Sequence, residues 1–373
     1  MASLQQHRRP VEDVISDLTD KRVNDVKWAD GRAFGMIYDG GPSVHEVAEQ
    51  AARLFLHENA LNTKAFPSLG QIQSEVVGWT ADLLHGDDAV AGFLPSGGTE
   101  SILCAGRAAR VRGAAERAIT ATEMVVAESA HAAFHKAAHN FGLKLHKAPV
   151  KDDWTADVEA LAALCNENTV LIVGSARQYP QGVQDDIAAI AALAASIGAN
   201  CHVDACMGGF VLPFVEMLGR EVQPWDFRVD GVTTISADIH KLGYAPKGVS
   251  VILHRNKASR SYQTFVFDDW LGGFYASPNM QGTRSGLPMA SAWAVLEEDE
   301  RRLGVVLLDI GAGTTAVVVY FDNSVHHTAV ITMGGAQVTN DIAIGLRTPL
   351  DAAEELKLTQ GCAVAALVGP NEK

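Results

Sequence analysis

The sequence contains no CxxC pair and only five cysteines, Cys104, Cys165, Cys201, Cys206 and Cys362, among 373 residues. An odd, scattered set argues against a disulfide framework or a thiolate zinc site and for reduced thiols. Positive charge is scarce: 30 Lys and Arg against 44 Asp and Glu leave a net charge of −14. A field of that sign repels phosphate backbones and argues against nucleic-acid binding. Long apolar runs are absent too. The longest, Ile187 to Ala199, stops at about thirteen residues, short of the ~20 that a membrane span needs. The opening residues, Met1 to Arg9, are polar and then basic with no apolar stretch behind them, so no signal peptide is expected. These absences leave an acidic, cytoplasmic chain with no transmembrane segment. At 47% hydrophobic it can bury more than one compact domain's core.

What is present alternates in kind. Val44–Leu56, Ile72–Leu84, Glu100–Val111 and Ile187–Ile197 carry helical spacing. Between them lie short β-rich runs at Thr169–Val173, Cys201–Val203, Val232–Ile235 and Val249–Leu253. Short strands separated by helices predict an α/β fold with a mostly parallel sheet and helices on both faces. Ligands in such sheets sit at the carboxyl ends of strands. Near residue 295 the pattern changes. The charge run Glu297–Arg302 reads as a solvated helix end or a linker. Beyond it, β-rich Val305–Leu308 and Ala316–Tyr320 flank Asp309-Ile310-Gly311-Ala312-Gly313-Thr314-Thr315 with no helix between. A domain boundary is therefore placed between 1–294 and 295–373.

Three features of the first part suit one kind of cofactor. Pro95-Ser96-Gly97-Gly98-Thr99-Glu100 opens a helix, and its glycines let backbone N–H groups approach an anion; plain helix capping explains the same turn. Asp204, in His202-Val203-Asp204-Ala205-Cys206, could keep a pyridine nitrogen protonated, or cap the next turn. Lys241 closes Ser236-Ala237-Asp238-Ile239-His240-Lys241, where a Schiff-base lysine would stand; the alternative is a surface lysine. His131 could stack on a flat ring, or lie on a helix face. His131, His135 and His139 stand at i, i+4 and i+8, but no nearby carboxylate or thiol completes a set, so no metal is expected.

Taken together, residues from about Asp30 to Ala294 resemble sphingosine-1-phosphate lyase and its bacterial relatives in the pyridoxal-phosphate decarboxylase family. The carrying segments are Ser96–Ser101, Ser129–Phe134, His202–Cys206 with Gly208-Gly209-Phe210, and His240-Lys241 leading into Gly243–Gly248. Tyr275-Ala276-Ser277-Pro278 before Gly282-Thr283-Arg284 completes the set. The resemblance implies a fold type I large domain with pyridoxal 5'-phosphate as cofactor. It implies Lys241 as the Schiff-base lysine, Asp204 on the pyridine nitrogen and His131 against the ring. Gly97, Gly98, Thr99 and His240 would hold the phosphate, with Gly282 and Thr283 supplied by the second subunit of a homodimer. Tyr38, Asn59, Tyr179 and Lys247 match positions near a small-molecule amine substrate. One departure is Asn59-Ala60-Leu61-Asn62, where the family has Asn-Pro-Leu-His; losing that histidine counts against a phosphorylated sphingoid base. The implied reaction is cleavage at the substrate's α-carbon, either of Cα–Cβ or of Cα–carboxylate.

The last segment bears a different likeness. Asp309, Gly311, Gly313 and Thr314 form a phosphate-turn pattern, which a tight glycine hairpin explains equally well from the turn alone. With Glu298-Asp299-Glu300, Leu303-Gly304-Val305, Gly334-Gly335, Val338–Ala343 and Gly361-Cys362-Ala363, it resembles part of FtsA, the actin-like cell-division family. Ala316 stands where that family usually has Asp. The resemblance implies a partial actin-like (RNase H-like) segment carrying a vestigial phosphate loop, with cell-division partners if that part works. The first part is expected to lack the small C-terminal domain of its family. The chain thus reads as a pyridoxal-phosphate lyase head joined to a fragment, active or an inactive chimera.

Overall fold

Neighbouring residues of the central strands enter different apolar clusters, as a sheet covered on both faces requires. The computed structural model describes residues 8–360 except 31, 32, 34, 180, 303–305, 311–314, 322–323 and 332–334. Seven strands form the main sheet: β1 (Ala91–Phe93), β2 (Glu123–Ala127), β3 (Lys144–Ala148), β4 (Thr169–Ser175), β5 (Asn200–Asp204), β6 (Val232–Ala237) and β7 (Val251–His254). Their order is β1-β7-β6-β5-β4-β2-β3, and β7 alone opposes the common direction. A ribbon of β8 (Phe265–Phe267) and β9 (Tyr275–Ser277) follows, then an antiparallel sheet of β10 (Val306–Ile310), β11 (Thr315–Phe321) and β12 (Ser324–Ile331).

The helices are α1 (Val11–Lys21), α2 (Pro42–Leu54), α3 (Pro67–Leu83), α4 (Gly98–Arg117), α5 (Ala133–Phe141), α6 (Val158–Leu164), α7 (Ile187–Ser196), α8 (Leu212–Met217), α9 (Lys257–Ser261), α10 (Leu287–Arg302), α11 (Gly335–Leu346) and α12 (Leu350–Gln360). Met124, Val126, Leu171 and Val173 join Ile102 and Leu103 of α4 and Phe134 of α5 in one cluster. Val125, Ala127 and Ile172 face the other way, toward Leu69 of α3, Leu161 of α6 and Ile190 of α7. The expected two-faced, mostly parallel sheet is present.

Boundaries moved where local chemistry decided them. Strand β7 starts at Val251 rather than Val249, because Val249 and Ser250 pair outside the ladder: His240 N–H donates to Val249 O (3.3 Å) and Ser250 N–H to Pro95 O (2.9 Å). Helix α2 begins at Pro42, whose missing N–H costs nothing in a first turn. The charge run Glu297–Arg302 is the end of α10, so the boundary expected near residue 295 falls within a helix rather than in a linker. The two strands expected around Asp309 are there as an antiparallel pair, Asp309 standing opposite Ala316. Gly311, Gly313 and Thr314 lie outside the described residues. Among the described residues no helix is long and apolar enough to cross a membrane.

Candidate functional site

Strands β1, β5 and β6 run side by side with β7 between β1 and β6, so their carboxyl ends open on one edge. The register sets Asp204 opposite both Ser175 and Ser236. A cavity of about 360 Å³ lies there, lined by Ser96, Gly97, Gly98, Thr99, Glu100, Ile102, His131, Asp204, Cys206, Asp238, His240 and Lys241. Lys241, Asp204, His131, Gly97, Gly98, Thr99 and His240, separate in sequence, are thus brought together. Their arrangement has two charged poles.

The first pole is the start of α4. No side chain caps this 20-residue helix at Gly97, so its dipole and first N–H groups are left for an anion. Ser96 is otherwise engaged: its N–H (2.6 Å) and Oγ (2.7 Å) both donate to Glu100 Oε2. Glu100 Oε1 accepts from Met280 N–H (2.8 Å), tying the 277–284 loop to the helix start. The second pole is carboxylate. Asp204 is buried, and its Oδ1 accepts from Cys206 N–H (3.1 Å). Asp238 is 2% exposed; its Oδ2 lies 3.0 Å from Lys241 Nζ and 3.6 Å from His240 Nε2.

These neighbours shift protons. Burial works against the Lys241 ammonium, but Asp238, Cys206 and Asp204 outweigh it and its pKa is raised. Burial lowers His240. His240 Nδ1 accepts from Val249 N–H (3.3 Å), which leaves the proton of the neutral ring on Nε2, toward Asp238. Burial drives the Cys206 thiol far up, so it stays protonated. His131 is exposed at the mouth, its Nδ1 accepting from Ala133 N–H (3.1 Å) just before α5.

The residues expected near a substrate divide. Tyr38 and Lys247 line a neighbouring cavity of about 350 Å³ with Trp28, Val44, His45 and Tyr244. Lys247 Nζ sits 4.8 Å from the Tyr38 ring centroid and donates to His240 O (2.7 Å). Burial, and then Lys241, lower the Lys247 pKa. Tyr179 is half exposed, its hydroxyl turned toward Gly35, whose carbonyl accepts from the Tyr38 hydroxyl (3.4 Å). Asn59 lies elsewhere: its Oδ1 accepts from Leu61 N–H (2.9 Å) and Arg284 N–H (3.3 Å), pinning its own loop. Gly282 and Thr283 do not line the cavity within this chain.

The family model for the pyridoxal-dependent decarboxylase conserved domain matches residues 1–295. The chain belongs to the pyridoxal-dependent decarboxylase family. Within that family it is 45% identical over 285 residues to sphingosine-1-phosphate lyase 1 of Rattus norvegicus, covering 76% of this chain and 50% of that protein. It is 41% identical over 292 residues to sphingosine-1-phosphate lyase of Arabidopsis thaliana, covering 76% and 54%. The chain therefore spans about half the length of the curated relatives it matches. A solved sphingosine-1-phosphate lyase of Burkholderia pseudomallei K96243 aligns with TM-score 0.76 and 40% identity over 80% of this chain and 70% of that one. A Lactobacillus brevis glutamate decarboxylase shares the fold, with TM-score 0.67 at 20% identity over 93% and 85% of the two chains. A second family model, cell division protein FtsA, matches residues 306–373.

The cofactor of the pyridoxal-dependent decarboxylases fits the residues present. A bare helix end suits its phosphate, a buried carboxylate its ring nitrogen and an amine its aldehyde. A Cβ on Gly98 would fill that space, reaching to 2.6 Å from Asp238 Oδ2 and 2.9 Å from Cys206 Sγ. Sequence reasoning missed Asp238, Glu100 and Cys206 as parts of the site. Asp238 had a visible signal: an acid three residues before Lys241 at a strand end, where one turn of chain carries both side chains to the same cavity.

Proposed function

We propose that residues 1–294 form the large domain of a pyridoxal-phosphate-dependent carbon–carbon lyase of the sphingosine-1-phosphate lyase kind, an aldehyde-lyase or carboxy-lyase acting on a small-molecule amine or amino acid. The observation that carries the reading is Lys241 in one cavity with the uncapped start of α4 and buried Asp204. When bound, the cofactor supplies an electron sink for a bond broken beside the substrate's amine-bearing carbon. The chain's residues do the rest. Gly97, Gly98, Thr99 and His240 would hold the phosphate, and Asp204 would keep a proton on the ring nitrogen. His131 would cover the ring, and Lys241 Nζ is the nucleophile. Tyr38 and Lys247 would orient the substrate from the adjoining cavity, Tyr179 would act from beside Gly35, and Asn59 would shape the rim by holding the Arg284 loop.

A homodimer belongs to this reading, with Gly282 and Thr283 of the partner subunit completing the phosphate end. In its support, the β8–β9 ribbon and its turn expose Phe265, Phe267, Trp270, Leu271 and Phe274, an apolar surface of the kind that a second subunit covers. A cytoplasmic location is consistent with the acidic composition. The test is an absorption spectrum with added pyridoxal phosphate, followed by borohydride and peptide mass spectrometry. A reduced adduct on Lys241, absent in Lys241→Ala, is expected; a colourless protein at saturating cofactor refutes the reading.

The match at residues 306–373 and the antiparallel pairing of β10 and β11 favour a second reading for the C-terminal part: an actin-like cell-division fragment. It predicts nucleotide-dependent assembly that is lost in Asp309→Ala. Assembly indifferent to nucleotide would dismiss it.

A further inference from the structure

Two buried carboxylates border the cavity, and they are engaged differently. Asp204 Oδ1 is satisfied by a backbone N–H of its own turn. The Asp238 carboxylate accepts no backbone bond among the described residues. Its Oδ1 is buried without a hydrogen-bond partner among the described residues, and its Oδ2 meets Lys241 Nζ at 3.0 Å. A buried carboxylate with one empty oxygen is costly unless a cation compensates it, and the nearest cation is the lysine. The same carboxylate presses on Gly98, where an added Cβ would lie 2.6 Å from Oδ2 and 2.9 Å from Oδ1, so it also forms the floor of the glycine turn.

We infer that Asp238 is a positioning residue, anchoring the Lys241 ammonium beneath the glycine turn in the cofactor-free chain and so setting the pH at which that amine becomes nucleophilic. The inference rests on Lys241 being the reactive lysine of the proposed function. The groups around Lys241 are Asp238, Asp204, Cys206, His240, Lys247 and Tyr38. Lys247 is the opposing cation, His240 is neutral once burial has lowered its pKa, and the Cys206 thiol is protonated. Asp238 is thus the charge in direct contact. Removing it leaves burial and Lys247 to destabilise the ammonium.

The experiment needs no cofactor. The cofactor-free chain is treated with trace acetic anhydride from pH 7 to 11, and acetylation of Lys241 is followed by mass spectrometry against exposed Lys136. The wild type should titrate above the ~10.4 of an ordinary lysine. Asp238→Asn should move the midpoint down by at least about one unit, with about tenfold faster labelling at pH 8, and Asp238→Glu should restore most of the wild-type value. An unchanged midpoint in a folded Asp238→Asn protein overturns the inference. So does a wild-type midpoint at or below that of an ordinary lysine, which decides the matter even if the variant fails to fold. A shifted midpoint without a borohydride adduct would refute only the cofactor reading, and an adduct with an unshifted midpoint only this one.

Discussion

A methyl group on Gly98 would meet Asp238 Oδ2 at 2.6 Å and Cys206 Sγ at 2.9 Å, closer than non-bonded atoms approach. Both neighbours are buried, and neither is the free end of a flexible chain. Gly98→Ala should therefore force the Asp238 carboxylate off Lys241, costing about 1–3 kcal/mol of stability as overpacking does. It should also abolish the reduced cofactor adduct at Lys241 while the protein still folds. Denaturant unfolding and borohydride trapping would check the two halves, and a stable variant with a normal adduct would contradict them. Gly208 is under the same pressure, its added Cβ colliding with Ala176 O. Such requirements can be read from a sequence as a Gly-Gly pair, but not the atoms that impose them. Lys241, Asp204 and Gly97-Gly98 were legible because each stands where an α/β sheet presents ligands, at the end of a strand or just beyond it. Asp238 was passed over despite standing three residues before Lys241, since an acid at a strand end also reads as a turn cap, and only packing shows an oxygen left without a donor.

Helix α4 holds the site together as an element. Glu100, in its first turn, gathers two donors from Ser96 on Oε2 and one from Met280 on Oε1. It thereby joins the glycine turn to the loop carrying Gly282 and Thr283. Glu100→Ala should cost about 2–4 kcal/mol, because two backbone N–H groups lose charge-assisted bonds in a buried place. Glu100→Gln should cost less, since one amide oxygen still accepts. Urea midpoints for the two variants would test this, and equal losses would mean that the charge, absent from both variants, matters and the retained amide oxygen does not. At this scale the sequence was most readable where period and punctuation agreed: Ser-Gly-Gly-Thr-Glu ahead of α4, or the β-branched run of β4. It was least readable at β8, whose Phe265, Val266 and Phe267 all face solvent in this chain. Apolar residues that all face solvent carry no inside–outside period to read.

Across the whole molecule the sheet imposes a condition on pH. His202 sits between Thr234 Oγ1 (2.8 Å) and Ser236 Oγ (3.2 Å), and His254 Nε2 donates to Gln263 Oε1 (2.7 Å). Both rings are fully buried in strands that lead to the site. Burial lowers His202 to about 3 and His254 to about 4. In the unfolded chain each takes a proton near pH 6.5. The folded state therefore binds fewer protons below that value. The stability these neutral rings allow is complete above pH 6.5 and falls as the pH drops toward 4 and then 3. At pH 5 the difference amounts to about 2 kcal/mol for each ring, or about 4 kcal/mol for both. His254→Gln keeps a donor for Gln263 and removes one titrating group, so its loss of stability between pH 7 and pH 5 should be about 2 kcal/mol smaller than in the wild type. Urea unfolding at the two pH values measures it. Glu123, whose pKa is lowered chiefly by the Asn166 amide, adds acid sensitivity of its own at lower pH, equally in both proteins. A wild-type loss matched by the variant would therefore mean that His254 takes up its proton inside the folded sheet.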